Sequence, residues 1–185
     1  MSGTAAPFAL KIRRATASDA EGICEIYNQA ISERIATFET ELRTVPTMRD
    51  SILERDERHP VLVAVGVREG ECEVREGRAI VGWACISIYS PRSCYSGIGE
   101  FSIYVKKDAR RQRVGVRLTT ALVEEAKRFG YWKLVSRVFP SNFASRNLCR
   151  SCGFREVGIY EKHAKLDGRW IDAIIVERVI QENLV

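Results

Sequence analysis

The sequence predicts a mixed α/β fold in which helices cover both faces of one central sheet. Residues 61–67 form a continuous apolar run, which is typical of a strand covered on both faces. Residues 100–129 change from alternating apolar positions to apolar positions three and four apart, which indicates a strand followed by an amphipathic helix. The predicted element order is β-α-α-β-β-β-α-β-α-β-β. Such an order is typical of a sheet with helices packed on its faces around one core.

The first half of the chain predicts three strands and two helices. Strands are predicted at 12–15, 61–67 and 79–89. One helix carries the apolar stripe from Ile23 to Ile31, and a second runs from Pro46 to about Arg58 before Pro60 ends it. Residues 35–44 are predicted as a loop and residues 68–78 as a hairpin loop. Gly82 indicates a bulge or a close backbone approach within its strand.

The second half predicts four strands and two helices. After a loop at 89–99, the predicted strands are 100–105, 133–139, 154–166 and 170–179. One predicted helix follows the basic segment 106–113 and extends to Phe129. The other runs from about Phe143 to Cys152, where Gly153 stops it. Asp167 and Gly168 form the predicted turn between the last two strands.

Length and charge restrict the class of protein. The chain has 185 residues, a net charge of +5 and 45% hydrophobic residues, which suits one globular domain with a full core. We expect residues 10–185 to form that domain and residues 1–9 to be a loose tail, because they lack the features of a signal peptide. No apolar run reaches transmembrane length, so we expect a cytoplasmic protein without a membrane partner.

The positive charge suits an anionic ligand. Nucleic acid is not the expected partner, because no basic face with interleaved aromatic residues is evident. The six cysteines do not imply a disulfide framework in a chain of this length. Cys149 and Cys152 have C-x-x-C spacing, but there is no second such pair and neither histidine lies at ligand spacing. We expect buried thiols on a helix, and no metal.

The basic segment 106–113 carries five cations and one acid directly before a predicted helix. The first turn of a helix presents unpaired amides and the positive end of the helix dipole. Gly115 allows a ligand to approach the backbone closely. A phosphate group suits this position, and a solvated basic turn is the alternative that the segment leaves open.

These residues resemble the acetyl-CoA-binding motif of the GNAT N-acetyltransferases, R/Q-x-x-G-x-G/A, with Arg110 first and Gly115 last. Arg113 stands where the first glycine usually lies, and a non-glycine residue serves there if its φ and ψ stay helical. A second motif of that family, N-x-x-S-x-x-L-x-x-x-x-G-F, runs from Asn142 to Phe154. The two motifs, in this element order, identify the chain as a GNAT member. The implied fold is a mixed, mostly antiparallel twisted sheet of six to seven strands with helices on both faces.

The resemblance narrows to the phosphinothricin N-acetyltransferase branch, which includes arsinothricin and methionine-sulfoximine acetyltransferases. It rests on A-T-F-E at 36–39, R-x-x-Y at 92–95, E-x-x-x-Y-V at 100–105 and D-G-x-W-x-D at 167–172. It implies direct acetyl transfer from acetyl-CoA to the primary amine of a small amino-acid-like substrate, detoxification and a homodimer. Acetylation of a protein N-terminus or lysine, and a non-catalytic acyl-CoA-binding module, remain as alternatives.

The resemblance also implies residue roles. Glu100 would take the proton of the amine through water; the alternative is a carboxylate paired with a nearby Arg. Phe38, Arg92 and Tyr95 would contact the substrate, although Arg92 also suits a surface loop charge. The implied cofactor-binding residues are Ile103, Tyr104 and Val105 for the thioester and pantetheine, Arg110, Arg111, Gln112, Arg113, Val114, Gly115 and Val116 for the pyrophosphate, and Asn142 and Ser145 for the pantetheine.

Two of these residues have a further interpretation. Asn142 can equally be the N-cap of its helix, and the two roles can coexist. Cys149 stands where relatives often place a Tyr that acts as general acid. The resemblance therefore leaves a side-chain acid in doubt, with Tyr104 and Tyr160 as weaker candidates.

Overall fold

The computed structural model describes residues 9–67 and 80–184, and its seven strands form one sheet in the order β1-β2-β3-β4-β5-β7-β6. The strands are β1 (Ala9–Arg14), β2 (Val61–Val67), β3 (Ile80–Ile88), β4 (Ile98–Val105), β5 (Lys133–Val138), β6 (Arg155–Leu166) and β7 (Arg169–Val179). The helices are α1 (Ala20–Glu33), α2 (Val45–Leu53), α3 (Val114–Arg128) and α4 (Phe143–Ser151). The predicted element order is confirmed.

The sheet is mixed and mostly antiparallel, as predicted. The neighbouring strands pair antiparallel everywhere except between β4 and β5, which run parallel. That parallel pairing covers three positions, from Ile98 opposite Lys133 to Glu100 opposite Val135. The two strands are therefore joined at one end only.

Both faces of the sheet carry a core, because side chains of a strand alternate between faces. In β2, Leu62 and Ala64 pack with the α3 side of the sheet, whereas Val61, Val63 and Val65 pack with α1 and α2. The larger cluster includes Leu118 and Leu122 of α3, which are fully buried. The continuous apolar run thus reflects a strand covered on both faces.

Three predictions made from local sequence are confirmed. The pairing of β2 with β3 shifts register next to Gly82, and a Cβ there would lie 3.0 Å from the carbonyl oxygen of Tyr104. Gly153 follows α4 with a φ of 79°, in the left-handed region that glycine adopts at low cost. Asp167 and Gly168 both have positive φ and form the turn between β6 and β7.

The second helix is shorter than predicted. It ends at Leu53, five residues before Arg58, because the Asp56 side chain accepts a hydrogen bond from the His59 amide at 2.9 Å and holds these residues in a turn. Of the tail predicted over residues 1–9, residues 1–8 lie outside the described residues and Ala9 is instead the first residue of β1. The predicted hairpin loop at 68–78 also lies outside the described residues. Strand β1 begins earlier than predicted, since Ala9 to Arg14 pair with β2.

Candidate active site

Strands β4 and β5 separate beyond Glu100 and Val135 and leave a cleft between them. Residues from both strands, from α4 and from the loop after α1 line this cleft: Ala36, Phe101, Ser102, Ile103, Tyr104, Ser136, Arg137, Val138, Phe139, Asn142, Ser145, Leu148 and Cys149. Because β5 no longer pairs with β4 here, the backbone groups on one edge of β4 are open to a ligand.

The pairing with β3 decides which amides of β4 face the cleft. The Lys106 amide donates to the Val81 carbonyl at 2.9 Å, and Tyr104 lies opposite Trp83 in the same antiparallel register. Alternate residues of a strand direct their backbone groups to opposite sides. The amides of Ile103 and Val105 therefore point towards the cleft side of β4, whereas that of Tyr104 points towards β3. This register favours Ile103 and Val105 over Tyr104 for the predicted backbone contact with the pantetheine, which stays a prediction.

The Tyr104 side chain is nonetheless part of the site region. Its ring lies 5.0 Å from that of Tyr27 and 4.8 Å from that of Trp83. Burial, together with the nearby Tyr27 and Cys85, raises the pKa of Tyr104 well above its usual 10.0. Burial likewise raises the pKa of Cys149, on the cleft wall, to about 12. Both groups are weak proton donors at neutral pH.

The start of α3 has the predicted open amides. The Arg117 amide donates to the Arg113 carbonyl at 3.1 Å, so the amides of Arg113, Val114, Gly115 and Val116 have no intrahelical acceptor. A Cβ on Gly115 would lie 3.0 Å from the end of the Leu148 side chain, which leaves little room for a larger residue. This geometry suits a phosphate ligand.

The backbone of Arg113 differs from the expectation. Its φ is 61° and its ψ is 10°, which is the left-handed region, and Arg111 also has a positive φ of 65°. The condition stated for a non-glycine residue at this position, helical φ and ψ, is therefore met only in the left-handed sense. The position keeps the conformation that the glycine of the motif adopts easily, and a side chain there costs on the order of 1 kcal/mol. Where the backbone φ angles of successive residues alternate between positive and negative values, the amides point towards one spot. Such an arrangement binds anions.

The cations of the segment before α3 have different partners. Arg110 binds the carboxylate of Glu33 on α1 at 2.7 Å, and Lys106 binds Glu25 at 2.9 Å. The Gln112 amide group donates to the Asp108 carbonyl at 3.0 Å and closes the loop. Lys107, Arg111 and Arg113 are exposed and form no ion pair with another described residue. These three are the cations available to a bound phosphate.

Asn142 is the N-cap of α4, which confirms the second interpretation given above. Its Oδ1 accepts from the Ser145 amide at 3.1 Å, and its Nδ2 donates to the Ile35 carbonyl at 3.0 Å. The side chain therefore joins the start of α4 to the loop after α1. Both Asn142 and Ser145 line the cleft, where the pantetheine contact remains a prediction.

Glu100 is the last residue of β4 that pairs with β5, and the cleft opens beyond it. Its side chain is 29% exposed and forms an ion pair with Arg137 of β5. The pairing with an Arg that the sequence left open is thus present. Arg137 was missed in the sequence, because only the parallel register of β4 and β5 brings the two residues together.

Two larger cavities meet at Glu100. One, which we call the Arg92 cavity, has a volume of about 550 Å³ and is lined by Arg92, Tyr95 and Tyr160 among others. The other, the Phe38 cavity, has a volume of about 630 Å³ and includes Phe38 and His163. The predicted substrate residues therefore divide between two cavities, with Glu100, Ser136 and Arg137 lining both.

Each cavity has a distinct wall. In the Arg92 cavity, the Arg92 guanidinium lies 5.6 Å from the centre of the Tyr95 ring. In the Phe38 cavity, the Phe38 ring lies 4.6 Å from that of Phe139. The Arg92 cavity therefore has a cationic and aromatic wall, whereas the Phe38 cavity has an aromatic wall.

Further features bear on the predictions about metals, thiols and membranes. Within residues 9–67 and 80–184, no group of three His, Cys, Asp or Glu side chains is placed to hold a metal ion. Cys149 and Cys152 are buried at α4, as expected, and Cys94 is exposed. In the same described ranges, every helix is too short or too polar to cross a membrane.

Comparison with known proteins gives concordant matches. The family model of the acetyltransferase (GNAT) family matches residues 23–154. A methionine sulfoximine/methionine sulfone acetyltransferase of Pseudomonas aeruginosa is 30% identical over 90% of this chain and 92% of its own length.

Two solved structures have a similar fold. A ribosomal-protein-alanine N-acetyltransferase of Brucella melitensis is 29% identical, with a TM-score of 0.81 over 92% of this chain and 99% of its own. A phosphinothricin acetyltransferase of Sinorhizobium meliloti, solved with acetyl-CoA, is 26% identical, with a TM-score of 0.79 over 92% of this chain and 88% of its own. The open amides of β4 and α3 fit such a cofactor. The chain belongs to the GNAT family and is an acetyl-CoA-dependent N-acetyltransferase.

Proposed function

We propose that this enzyme acetylates the primary amine of a small amino-acid-like acceptor of the phosphinothricin, arsinothricin or methionine-sulfoximine type, whose side chain ends in an anionic phosphinate or arsinate or in a polar sulfoximine. The observation that carries the proposal is the Arg92 cavity, in which Glu100 and Arg92 line the same space of about 550 Å³. A guanidinium binds carboxylate and phosphinate oxygens through two hydrogen bonds. Acetylation of such a compound would remove its reactive amine and give resistance by detoxification.

In this proposal Glu100 is the general base. A primary amine is protonated at neutral pH and must lose a proton to attack the thioester, and Glu100 lines both of the larger cavities. The amides of Ile103 and Val105 would hold the thioester carbonyl and the pantetheine arm. Donors aimed at a developing oxyanion contribute on the order of 3 kcal/mol each to catalysis.

The residues at the start of α3 would bind the pyrophosphate of acetyl-CoA. The open amides from Arg113 to Val116 and the exposed cations Arg111 and Arg113 provide donors and charge. Arg110 and Gln112 would act by holding the loop, through Glu33 and the Asp108 carbonyl. The thiolate of coenzyme A would leave without a side-chain acid, since burial keeps the pKa of Cys149 at about 12.

A second candidate is acetylation of a protein N-terminus or lysine. The structural neighbour named as a ribosomal-protein-alanine N-acetyltransferase favours it, because that protein has the same fold. A peptide acceptor would need an open groove, whereas the proposed acceptor needs cations within a small cavity. The two candidates therefore predict different acceptors for the same cofactor site.

The test is release of free thiol from acetyl-CoA in the presence of separate acceptors: phosphinothricin, arsinothricin, methionine sulfoximine, ordinary amino acids and N-terminal peptides. We expect thiol release with at least one of the first three and none with the peptides. Release with peptides alone would replace the proposal by protein acetylation.

We also propose that residues 10–185 form one domain, that the protein is cytoplasmic and that it is a homodimer. The edge strand β6 supports the dimer, because its Ile159 and Tyr160 and the neighbouring Trp170 of β7 are large hydrophobic residues that are about half exposed. An edge strand with apolar side chains favours pairing with a second copy. A monomeric mass by light scattering would exclude the dimer.

A further inference from the structure

Arg137 occupies the junction of the cleft and the two cavities. It lines all three spaces, and Ser136 is the other residue that does so. It lies on β5 opposite Ile175 of β7, two residues beyond Val135, which is the last partner of β4. Since side chains two apart on a strand share a face, Arg137 projects on the same side as Val135, whose parallel partner is Glu100.

Arg137 forms an ion pair with Glu100. The other carboxylate of the Arg92 cavity, Glu177, binds Lys133 at 2.9 Å and Arg155 at 2.5 Å. The Arg137 side chain is 44% exposed and that of Glu100 is 29% exposed, so a ligand in either cavity can reach both. The base of the proposed reaction is therefore covered by a cation before the acceptor arrives.

An incoming ammonium group meets this cation. Two cations on one carboxylate repel each other, so the amine of an acceptor approaches Glu100 favourably only if Arg137 gains another anion. A zwitterionic acceptor supplies both charges: its ammonium replaces Arg137 at Glu100, and its own anion takes Arg137. The exchange keeps every charge paired.

We propose, on the basis of the function proposed above, that Arg137 binds the α-carboxylate of the acceptor and makes the enzyme selective for free amino acids. Arg137 and Glu100 are in direct contact, so the two charges that replace this pair must be adjacent on the acceptor. The α-amine and α-carboxylate of an amino acid are attached to the same carbon, whereas the distal phosphinate or arsinate lies several bonds from the amine. The distal anion then belongs to Arg92, which lines the same cavity.

This assignment predicts discrimination against acceptors without an α-carboxylate. An amino acid amide brings the amine but leaves Arg137 without an anion, and an unpaired charged group lowers kcat/KM by about 10- to 100-fold. The same argument applies to peptide N-terminal residues. Arg137 is thus a specificity-determining residue, and its loss should change the choice of acceptor more than the affinity for acetyl-CoA.

The experiment measures kcat/KM of the wild type and of Arg137→Gln for the preferred acceptor and for its α-carboxamide. We expect the wild type to prefer the acid by at least about tenfold. Arg137→Gln should lose that preference, through a lower kcat/KM for the acid and a kcat/KM for the amide within about threefold of wild type. Arg137→Lys should recover part of the preference, because it keeps the charge but not the paired hydrogen bonds.

The matched control is Arg128→Gln, which removes another Arg of an Arg–Glu pair, with Glu125 at 3.1 Å, outside all three spaces. It should keep the preference for the acid, and acetyl-CoA affinity by calorimetry should stay within threefold in all variants. An equal loss for acid and amide in Arg137→Gln, or an unchanged preference, would overturn the assignment while leaving the proposed function in place. A wild type that acetylates peptides and no free amino acid would overturn both.

Discussion

Arg110 donates hydrogen bonds of 3.0 and 2.7 Å to the two carboxylate oxygens of Glu33, and this pair joins the loop before α3 to the end of α1. Arg110 is the first residue of the motif expected to bind pyrophosphate. Its charge is balanced by Glu33, so its contribution is to the position of the loop. The proposed phosphate site consequently depends on a residue 77 positions earlier in the chain.

The first prediction concerns this pair. A double-mutant cycle of Arg110→Ala and Glu33→Ala should give a coupling of about 1 kcal/mol in the free energy of unfolding, because the pair is bidentate and partly buried. Urea denaturation of the four proteins measures it, and the coupling should fall at high salt. Additive single effects at low salt would show that the pair does not stabilise the loop.

The second prediction concerns Glu100. Glu100→Gln should lower kcat by about 10²- to 10⁴-fold, because the amide cannot take the proton of the amine. The acetyl-CoA affinity, measured by calorimetry, should change little. Glu156→Gln, which removes the carboxylate that pairs with Arg146 outside the two larger cavities, serves as control and should keep kcat near wild type. Loss of acetyl-CoA binding in Glu100→Gln would contradict the role as base.

The third prediction concerns the left-handed backbone of Arg113. Arg113→Gly should be more stable than Arg113→Ala by about 1 kcal/mol, since both remove the charge but glycine alone accepts a φ of 61° without strain. Thermal unfolding of the two variants gives the difference.

The control for Arg113 is the same pair of substitutions at Arg117, an exposed position within α3. There the order should reverse, with glycine less stable than alanine by about 1 kcal/mol, because the backbone is right-handed helical. The same order at both positions would mean that Arg113 is not left-handed in solution.

The fourth prediction concerns Asp19, which is buried and binds Arg13 at 2.6 and 2.8 Å. Burial raises the pKa of Asp19, but hydrogen bonds from Arg13 and Thr16 and the charge of Arg13 outweigh it and hold the pKa below its usual 3.8. The carboxylate therefore stabilises the fold above about pH 4, and this stability is lost as the pH falls towards the folded pKa.

Asp19→Asn should cost about 3 kcal/mol of unfolding free energy at pH 7. The difference in unfolding free energy between wild type and Asp19→Asn should become smaller as the pH falls below 3.8. Urea titrations between pH 7 and pH 3 measure it. Asp50→Asn, an exposed change on α2, should stay within about 0.5 kcal/mol of wild type. If this difference in unfolding free energy stayed constant with pH, the stability would not depend on the ionisation of Asp19.

The fifth prediction concerns the thiols. Cys94 is exposed, whereas burial raises the pKa of Cys24 and raises that of Cys149 to about 12. Iodoacetamide at pH 8 should therefore label Cys94 at least about 100-fold faster than Cys149, because the thiolate is the reactive form. Peptide mass spectrometry separates the sites, so that the labelling rates of Cys94 and Cys149 are compared in one experiment. Fast labelling of Cys149 would mean that α4 opens readily.

The motif residues could be placed on their elements from the sequence because their signals are local. The apolar spacing from Val114 to Leu122 predicts α3. Gly153 predicts the end of α4 and Gly168 the turn after β6, because glycine adopts a positive φ at low cost without any distant contact. The end of α2 was misplaced, because the turn that replaces its last residues depends on a side-chain contact of Asp56 that helix propensity does not include.

The sequence by itself determined the element order, the covered strand β2 and the open amides at the start of α3, since periodicity and turn chemistry act over a few residues. Tertiary structure alone decided which groups meet. The short parallel pairing of β4 with β5 opens the cleft and brings Arg137 to Glu100, 37 residues away, and the pairing with β3 directs the Tyr104 amide towards that strand. Strand register arises from long-range pairing, and a shift of one residue would exchange every group that faces the cleft.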